Sequence, residues 1–146
     1  MAAGLITVGE LQQFVAEDAI DTVINAFCDM QGRLLGKRVT GEFFVEECLE
    51  HGTHFCVYLL GTDMEMTTPD GYHLMNWATG YGDWQARPDW TTLRVIPWLE
   101  KTALVLADVV EEETGAPVAV APRTILKRQI ERAAALGLRV KLASEL

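Results

Sequence analysis

Residues 22–39 read TVINAFCDMQGRLLGKRV. Thr22 to Cys28 is rich in β-branched and apolar residues, which predicts a strand. Asp29-Met30-Gln31-Gly32-Arg33 is a turn, with Gly32 able to take positive φ. Leu34 to Val39 returns as a second strand. The two strands should form a hairpin, and the neighbouring segments must be read as what packs around it.

Upstream, Thr7 and Glu10 stand in the capping-box relation, and Leu11, Phe14 and Val15 follow at helical spacing. This predicts a short helix from about Gly9 to Glu17. Downstream, Thr40 can cap a helix over about Glu42 to Glu50, with Gly52 able to end it. Thr53 to Leu60 reads as a third strand. Gly61 to Arg87 shows no sustained period, and a segment of that length is usually functional or mobile. Thr91 to Ile96 and Ala103 to Val110 read as two further strands, separated by Pro97 and a charged turn at Glu100-Lys101. Glu111 to Val120 is a connector. Pro122 sits well at the first position of a helix whose stripe is Leu126, Ile130, Ala133 and Ala134, closed by Gly137. Leu138 to Leu142 is expected to begin another strand. The order predicts an α+β fold, a compact mixed sheet with a helix packed across it. The last strand would have no following partner, which is costly for an isolated domain, so the sequence is expected to be cut from a longer one.

The chain has 146 residues, 49% of them apolar, and a formal net charge of −9 from 21 acidic and 12 basic side chains. That balance disfavours nucleic acid, whose binding relies on clustered Lys and Arg. The basic group Arg123, Lys127, Arg128 and Arg132 is expected to be a solvated helix face. No run reaches the roughly 18 apolar residues that would span a membrane. The opening MAAGLITVGELQQFV has no basic residue before its apolar stretch and does not read as a secretory signal. Cys28, Cys48 and Cys56 are odd in number and show no CxxC spacing, so a reduced, cytoplasmic setting is expected.

His51, His54 and Cys56 offer three metal-ligating side chains, but no fourth ligand has a suitable spacing. A helix end followed by a core strand is the expected reading. His73 is expected at the surface. The sequence holds no phosphate-binding glycine loop, and its one serine, Ser144, lies in no nucleophile motif. The stretch 62–83 collects Asp63, Glu65, Asp70 and Asp83, which can attract a cation or an amine or simply be solvated. Trp77, Trp84, Trp90 and Trp98 cluster nearby, and tryptophans line pockets or anchor interfaces.

Several short pieces, in order, carry a resemblance. They are Asp29 to Gly32 with Gly36-Lys37, Gly82-Asp83, Pro88-Asp89-Trp90-Thr91-Thr92, Ile96-Pro97-Trp98, Ala107-Asp108, and Pro122-Arg123 with Lys127. Together they resemble the N-terminal part of the glutamine synthetase family, from about residue 22 onward. The resemblance implies an N-terminal helical segment over 1–18, a β-grasp domain over 19–116, and the first helix and strand of a truncated catalytic domain over 117–146. It also implies a parent enzyme that couples ATP cleavage to amide formation at the γ-carboxylate of glutamate, with Mg2+ or Mn2+ as cofactor, in a cytoplasmic homo-oligomer.

Within that resemblance, Glu145 matches the first glutamate of the family's metal-binding Glu-x-Glu, and the second would be residue 147. A hard cation takes about six oxygen ligands, so Glu145 alone cannot hold one, and no cofactor or ligase activity is expected of this stretch by itself. Ammonia-using members carry Phe-Asp-Gly-Ser-Ser in the loop that reaches a neighbouring subunit. Here the region reads Gly61-Thr62-Asp63-Met64-Glu65-Met66, with Asp63 as the counterpart of the family aspartate and no serines. By resemblance this favours the branch that joins glutamate to an organic amine or polyamine, and the parent is expected to use ammonia or an amine. Asp63 is then expected on the amine side of the site, with Trp77 or Trp84 against the amine's carbon chain. The alternative is a stand-alone β-grasp module that associates with a full-length ligase.

Overall fold

The structure, a computed structural model, describes residues 4–143. The expected hairpin is present: β2 (Thr22–Cys28) and β3 (Leu34–Thr40) pair antiparallel from Thr22↔Thr40 to Cys28↔Leu34. Before it come β1 (Gly4–Leu5) and helix α1 (Val8–Ala16), which starts at the expected capping box between Thr7 and Glu10. After it, a helix over 41–51 that we call α2 is capped by the Thr40 hydroxyl and carries a π-turn at Phe44–Cys48. Gly52 ends α2 at φ +71°, where the chain passes so close to the Ala86 carbonyl that an added Cβ would lie 2.0 Å from its oxygen. Only glycine fits there.

The remaining strands are β4 (Thr53–Cys56), β5 (Asp83–Pro88), β6 (Arg94–Val95) and β7 (Thr102–Glu111). The first half of β7 lies parallel to β2 and antiparallel to β6, and its second half is antiparallel to β5, which pairs with β4. The result is a seven-stranded mixed sheet. Along β7 the odd positions Ala103, Val105, Ala107 and Val109 are buried, as expected when one face of a strand meets a core. Ala103 and Val105 join Val23, Phe44, Leu11 and Leu93 in one apolar cluster under α1 and α2. Ala107 and Val109 join Phe27, Phe55, Trp84 and Leu60 in a second. Asn25 is fully buried on β2 between Val23 and Phe27. Its Nδ2 donates to Thr53 Oγ1 (3.0 Å) and to the Ala86 carbonyl (2.8 Å), which ties β2 to β4 and β5.

Several expectations need correction. Gly61 to Arg87 is not one long loop, because Asp83–Pro88 forms β5. That strand is buried at Trp84, Gln85, Ala86 and Pro88, so it lacks the alternation that marks a half-exposed strand. The third strand stops at Cys56, and Val57–Leu60 turns into a 3-10 helix. Thr91 to Ile96 is a 3-10 turn followed by only two strand residues, because Asp89 caps the turn through Thr91. Leu138 to Leu142 forms no strand among the described residues; it is exposed, with no strand beside it to supply backbone partners.

The helix α3 (Pro122–Ala135) opens with Pro122 and closes at Gly137, whose φ is +77°. Its basic side chains are not all solvated. Arg123 donates to Asp108 Oδ1 (3.0 Å) and Asp89 Oδ2 (2.5 Å), and Lys127 pairs with Asp108. Pieces read separately in the sequence therefore meet as one ion-pair network that pins α3 to Asp89, just after β5, and to Asp108 within β7. Burial pushes the Asp89 carboxyl up, but hydrogen bonds from Thr91 and the nearby Arg123 and Lys127 charges outweigh it and hold the group below its usual range.

Replacing Arg123 with Ala leaves two partly buried carboxylates short of a partner. The expected loss is about 1–3 kcal/mol of stability, read by chemical denaturation. Hydrogen exchange should show faster amides in α3, with Thr22–Cys28 little changed. In the unaltered chain, amides of Thr22–Cys28 and of 103–110 should exchange more slowly than those of 138–142. Equal protection of the two regions would contradict this picture.

Candidate functional site

The segment 61–82 leaves the sheet after the 3-10 turn and returns as β5. Its start is fixed from below. Gly61 lies beneath Met75, where an added Cβ would be 2.5 Å from Sδ, and Thr62 and Met75 are both buried. Its flank is held by the tip of the β2–β3 hairpin. Gln31 Nε2 donates to the Thr62 carbonyl (3.1 Å), while Arg33 donates to the carbonyls of Asp63 (2.9 Å) and Met64 (3.0 Å). Arg33 is itself oriented by Asp29, whose Oδ2 accepts from Nε at 2.6 Å.

Asp29 is 1% exposed. Burial alone would raise its pKa, but the Arg33 side chain and the backbone N–H groups of Arg33 and Gln31 bind the ionised form and lower it overall. A buried carboxylate thus sets an arginine, and the arginine sets the loop.

The loop then folds on its own side chains. Asp63 is half-buried, and its Oδ1 accepts from the backbone N–H of Glu65 (3.0 Å) and Thr67 (2.8 Å). Both bonds fall on Oδ1, so Oδ2 takes no part in the turn. Asn76 makes a second knot: its Oδ1 accepts from the N–H of Ala78 and Thr79 at 2.9 Å each, and its Nδ2 donates to the Tyr72 carbonyl (2.9 Å). This knot presents Trp77, which is 84% exposed. Trp77 meets Tyr81 edge to face at 5.1 Å, and Tyr81 meets Tyr58 the same way at 6.2 Å. The three rings, with Cys56 and Thr68, line a cavity of about 480 Å3.

The sequence-based candidates divide. Asp63 and Trp77 both lie on the loop. Trp84 does not: it is buried in the core, edge-on to Phe55 at 6.5 Å, so its face is closed to a ligand. Glu145 lies outside the described residues. His51 and His54 line a separate cavity of about 600 Å3 with Glu47, Cys48 and Glu112, and Cys56 lines the aromatic one. His54 Nε2 is 3.3 Å from Glu112. Among the described residues, no three His, Cys, Asp or Glu side chains are grouped to hold a metal ion. Asp89 and Asp108, a pair that a hard cation would suit, are already occupied by Arg123 and Lys127. The described residues therefore do not form a site for the divalent cation. Reading the sequence missed Arg33, Tyr58 and Tyr81. The signal for Tyr81 was an aromatic residue between two glycines, Gly80 and Gly82.

Asp29→Asn tests the anchor. The folded state lowers the Asp29 pKa, so its contribution is full above the unfolded value of about 3.9 and is lost as pH falls through the folded value. The variant should lose about 1–3 kcal/mol at pH 7, and the difference from the parent should shrink on titrating toward strong acid. Limited proteolysis should also cut the 64–80 region faster. An unchanged cleavage rate would separate the loop from the hairpin.

With the geometry in hand, comparison with known proteins gives the family. No family model matches the chain. Gamma-glutamylethanolamide synthetase GlnA4 of Streptomyces coelicolor is 52% identical over 139 residues, which is 95% of this chain and 30% of that protein. Glutamate–isopropylamine ligase of a Pseudomonas species is 35% identical over 136 residues, 93% of this chain and 29% of that protein. Among solved structures, GmaS in complex with ADP superposes with a TM-score of 0.65 at 27% identity, covering 86% of this chain and 26% of that one. The chain thus spans about 30% of the length of the curated relatives it matches. Type-1 glutamine synthetase 2 of Dictyostelium discoideum is 35% identical over 104 residues, 71% of this chain and 20% of that protein, and by these relatives the chain belongs to the glutamine synthetase family.

Proposed function

We propose that this chain is the N-terminal portion of an ATP-dependent ligase that joins the γ-carboxylate of glutamate to an organic amine, releasing ADP and phosphate. In this reading residues 19–116 are a β-grasp domain and 117–146 begin the catalytic domain. The β-grasp part is supported by the chain order: a hairpin, a helix across it, and β7 returning parallel to β2. ATP and the Mg2+ or Mn2+ ion that neutralises its phosphates would be held by the catalytic domain, with Glu145 as one ligand.

The observation that carries the choice of an organic amine is the loop itself. It carries Asp63 and Trp77 and no serine; Trp77 lines the aromatic cavity, and Asp63 stands on the same loop outside it. An amine reaches the site as an ammonium ion. A carboxylate stabilises its charge, and an aromatic surface accommodates carbon substituents that ammonia does not have. Two of the relatives are named for ethanolamine and isopropylamine products or substrates, which agrees. Exposed Met30 and Leu34 on the hairpin and Met64, Met66 and Leu74 on the loop support a further part of the reading. These apolar side chains would pack against a neighbouring subunit of a homo-oligomer, where the loop would complete the amine side of that subunit's site.

The test is amide formation by the full-length ligase, with ammonia, ethanolamine, isopropylamine and a diamine as acceptors. An organic amine should exceed ammonia in kcat/KM by about tenfold or more, a difference of about 1.4 kcal/mol in transition-state binding. Preference for ammonia would remove the reading. Asp63→Asn should lower kcat/KM for the amine and leave ATP and glutamate little changed. A uniform effect on all three substrates, or none, would show that Asp63 is not the amine-side residue. The 146-residue chain alone should form no γ-glutamyl amide.

A further inference from the structure

We propose that Tyr58, Trp77 and Tyr81 form a cage for a substituted ammonium ion, and that this cage selects alkylated amines over ammonia. The binding itself stands on the geometry. The assignment of the bound ion as the amine acceptor rests on the ligase reading above.

The Tyr81 ring stands at near right angles to both neighbours, 90° from Trp77 and 89° from Tyr58. Rings set in this way do not fill the space between them by stacking flat, and a cavity of about 480 Å3 remains. That lies within the roughly 300–1,000 Å3 range of small-molecule sites. No Lys or Arg lines it, so nothing in the wall recognises an anion. A cation is favoured instead: aromatic faces carry negative quadrupole charge, and the chain's net charge is −9.

The position of Trp77 adds to this. Its ring is almost wholly exposed, yet the Asn76 knot fixes the backbone on both sides of it. An indole held out at a cavity mouth is placed to close over an occupant. Alkyl groups gain from contact with such rings. A bare ammonium ion has none and keeps more of its hydration.

The 146-residue chain can be titrated with isopropylammonium chloride at constant ionic strength, with 2-propanol as the neutral isostere and ammonium chloride as the unsubstituted ion. NMR reports the indole N–H of Trp77 and the ring protons of Tyr58 and Tyr81. Saturable shifts are expected with isopropylammonium, and much smaller, non-saturating ones with the other two. Trp77→Ala and Tyr81→Ala should each weaken binding about tenfold, while Trp77→Phe keeps most of it. Trp77 is exposed, so its replacement should leave the fold intact, and an unchanged amide spectrum away from the loop checks this. Equal shifts with 2-propanol or ammonium chloride would overturn the cage, as would undiminished binding by Trp77→Ala. In the full-length ligase, Trp77→Ala should lower kcat/KM for isopropylamine about tenfold and leave ammonia little changed. Binding by the chain without any amine-dependent turnover in the ligase would keep the cage and remove the acceptor assignment.

Discussion

Everything in this fold is referred to β7. It is ten residues long and, among the described residues, it is the strand whose backbone ladder runs into both parts of the sheet. Its first half closes the hairpin side by lying parallel to β2, and its second half carries β5 and β4. Backbone pairing on both edges is obligatory for a buried strand, since an unpaired amide or carbonyl in the interior costs free energy comparable to a lost hydrogen bond. A proline or an unpaired stretch in the middle of β7 would therefore disconnect the two halves rather than weaken one.

The inner face of β7 and β2 explains why the loop sits where it does. Val23 and Val105 belong to one apolar cluster and Phe27 and Ala107 to the other, with buried Asn25 between them on β2. Phe27 stacks on Phe55 at 3.9 Å, which brings β4 and the turn after it against the hairpin. The hairpin tip is thereby close enough for Arg33 to reach the carbonyls of Asp63 and Met64. The chain of dependence runs from strand pairing, through core packing, to the placement of an exposed loop. On the other side of the sheet, Asp89 and Asp108 hold α3 by charge, while its apolar residues Ile125, Leu126 and Ile130 remain exposed.

Elements governed by local chemistry were legible in the sequence. The hairpin follows from its β-branched run and its Gly32 turn, α1 from a capping box, and α3 from Pro122 and Gly137. Elements governed by tertiary contacts were not. β5 contains Gln85, Arg87 and Pro88 and is buried on both faces, so neither composition nor alternation announces it. Leu138 to Leu142 has the composition of a strand without a partner to make it one. The same division holds at the site. Asp63 and Trp77 were singled out from residue type and resemblance, and the structure places both on the loop. Their supports, Asp29 and Arg33, act through a contact about 30 residues away in sequence, and Tyr58 joins Tyr81 only across the β4–β5 turn region. Trp84 failed as a candidate because burial, not residue type, decides whether a ring can meet a ligand.

The grip of the hairpin on the loop has a consequence for descent. Gln31 and Arg33 hold carbonyl oxygens of residues 62, 63 and 64, and a carbonyl is present whatever the side chain. Outward-facing side chains such as Met64 can therefore be exchanged by mutation while the loop is inherited in place. The path of the loop and the side chains it displays are therefore set by separate groups, and one can change without the other.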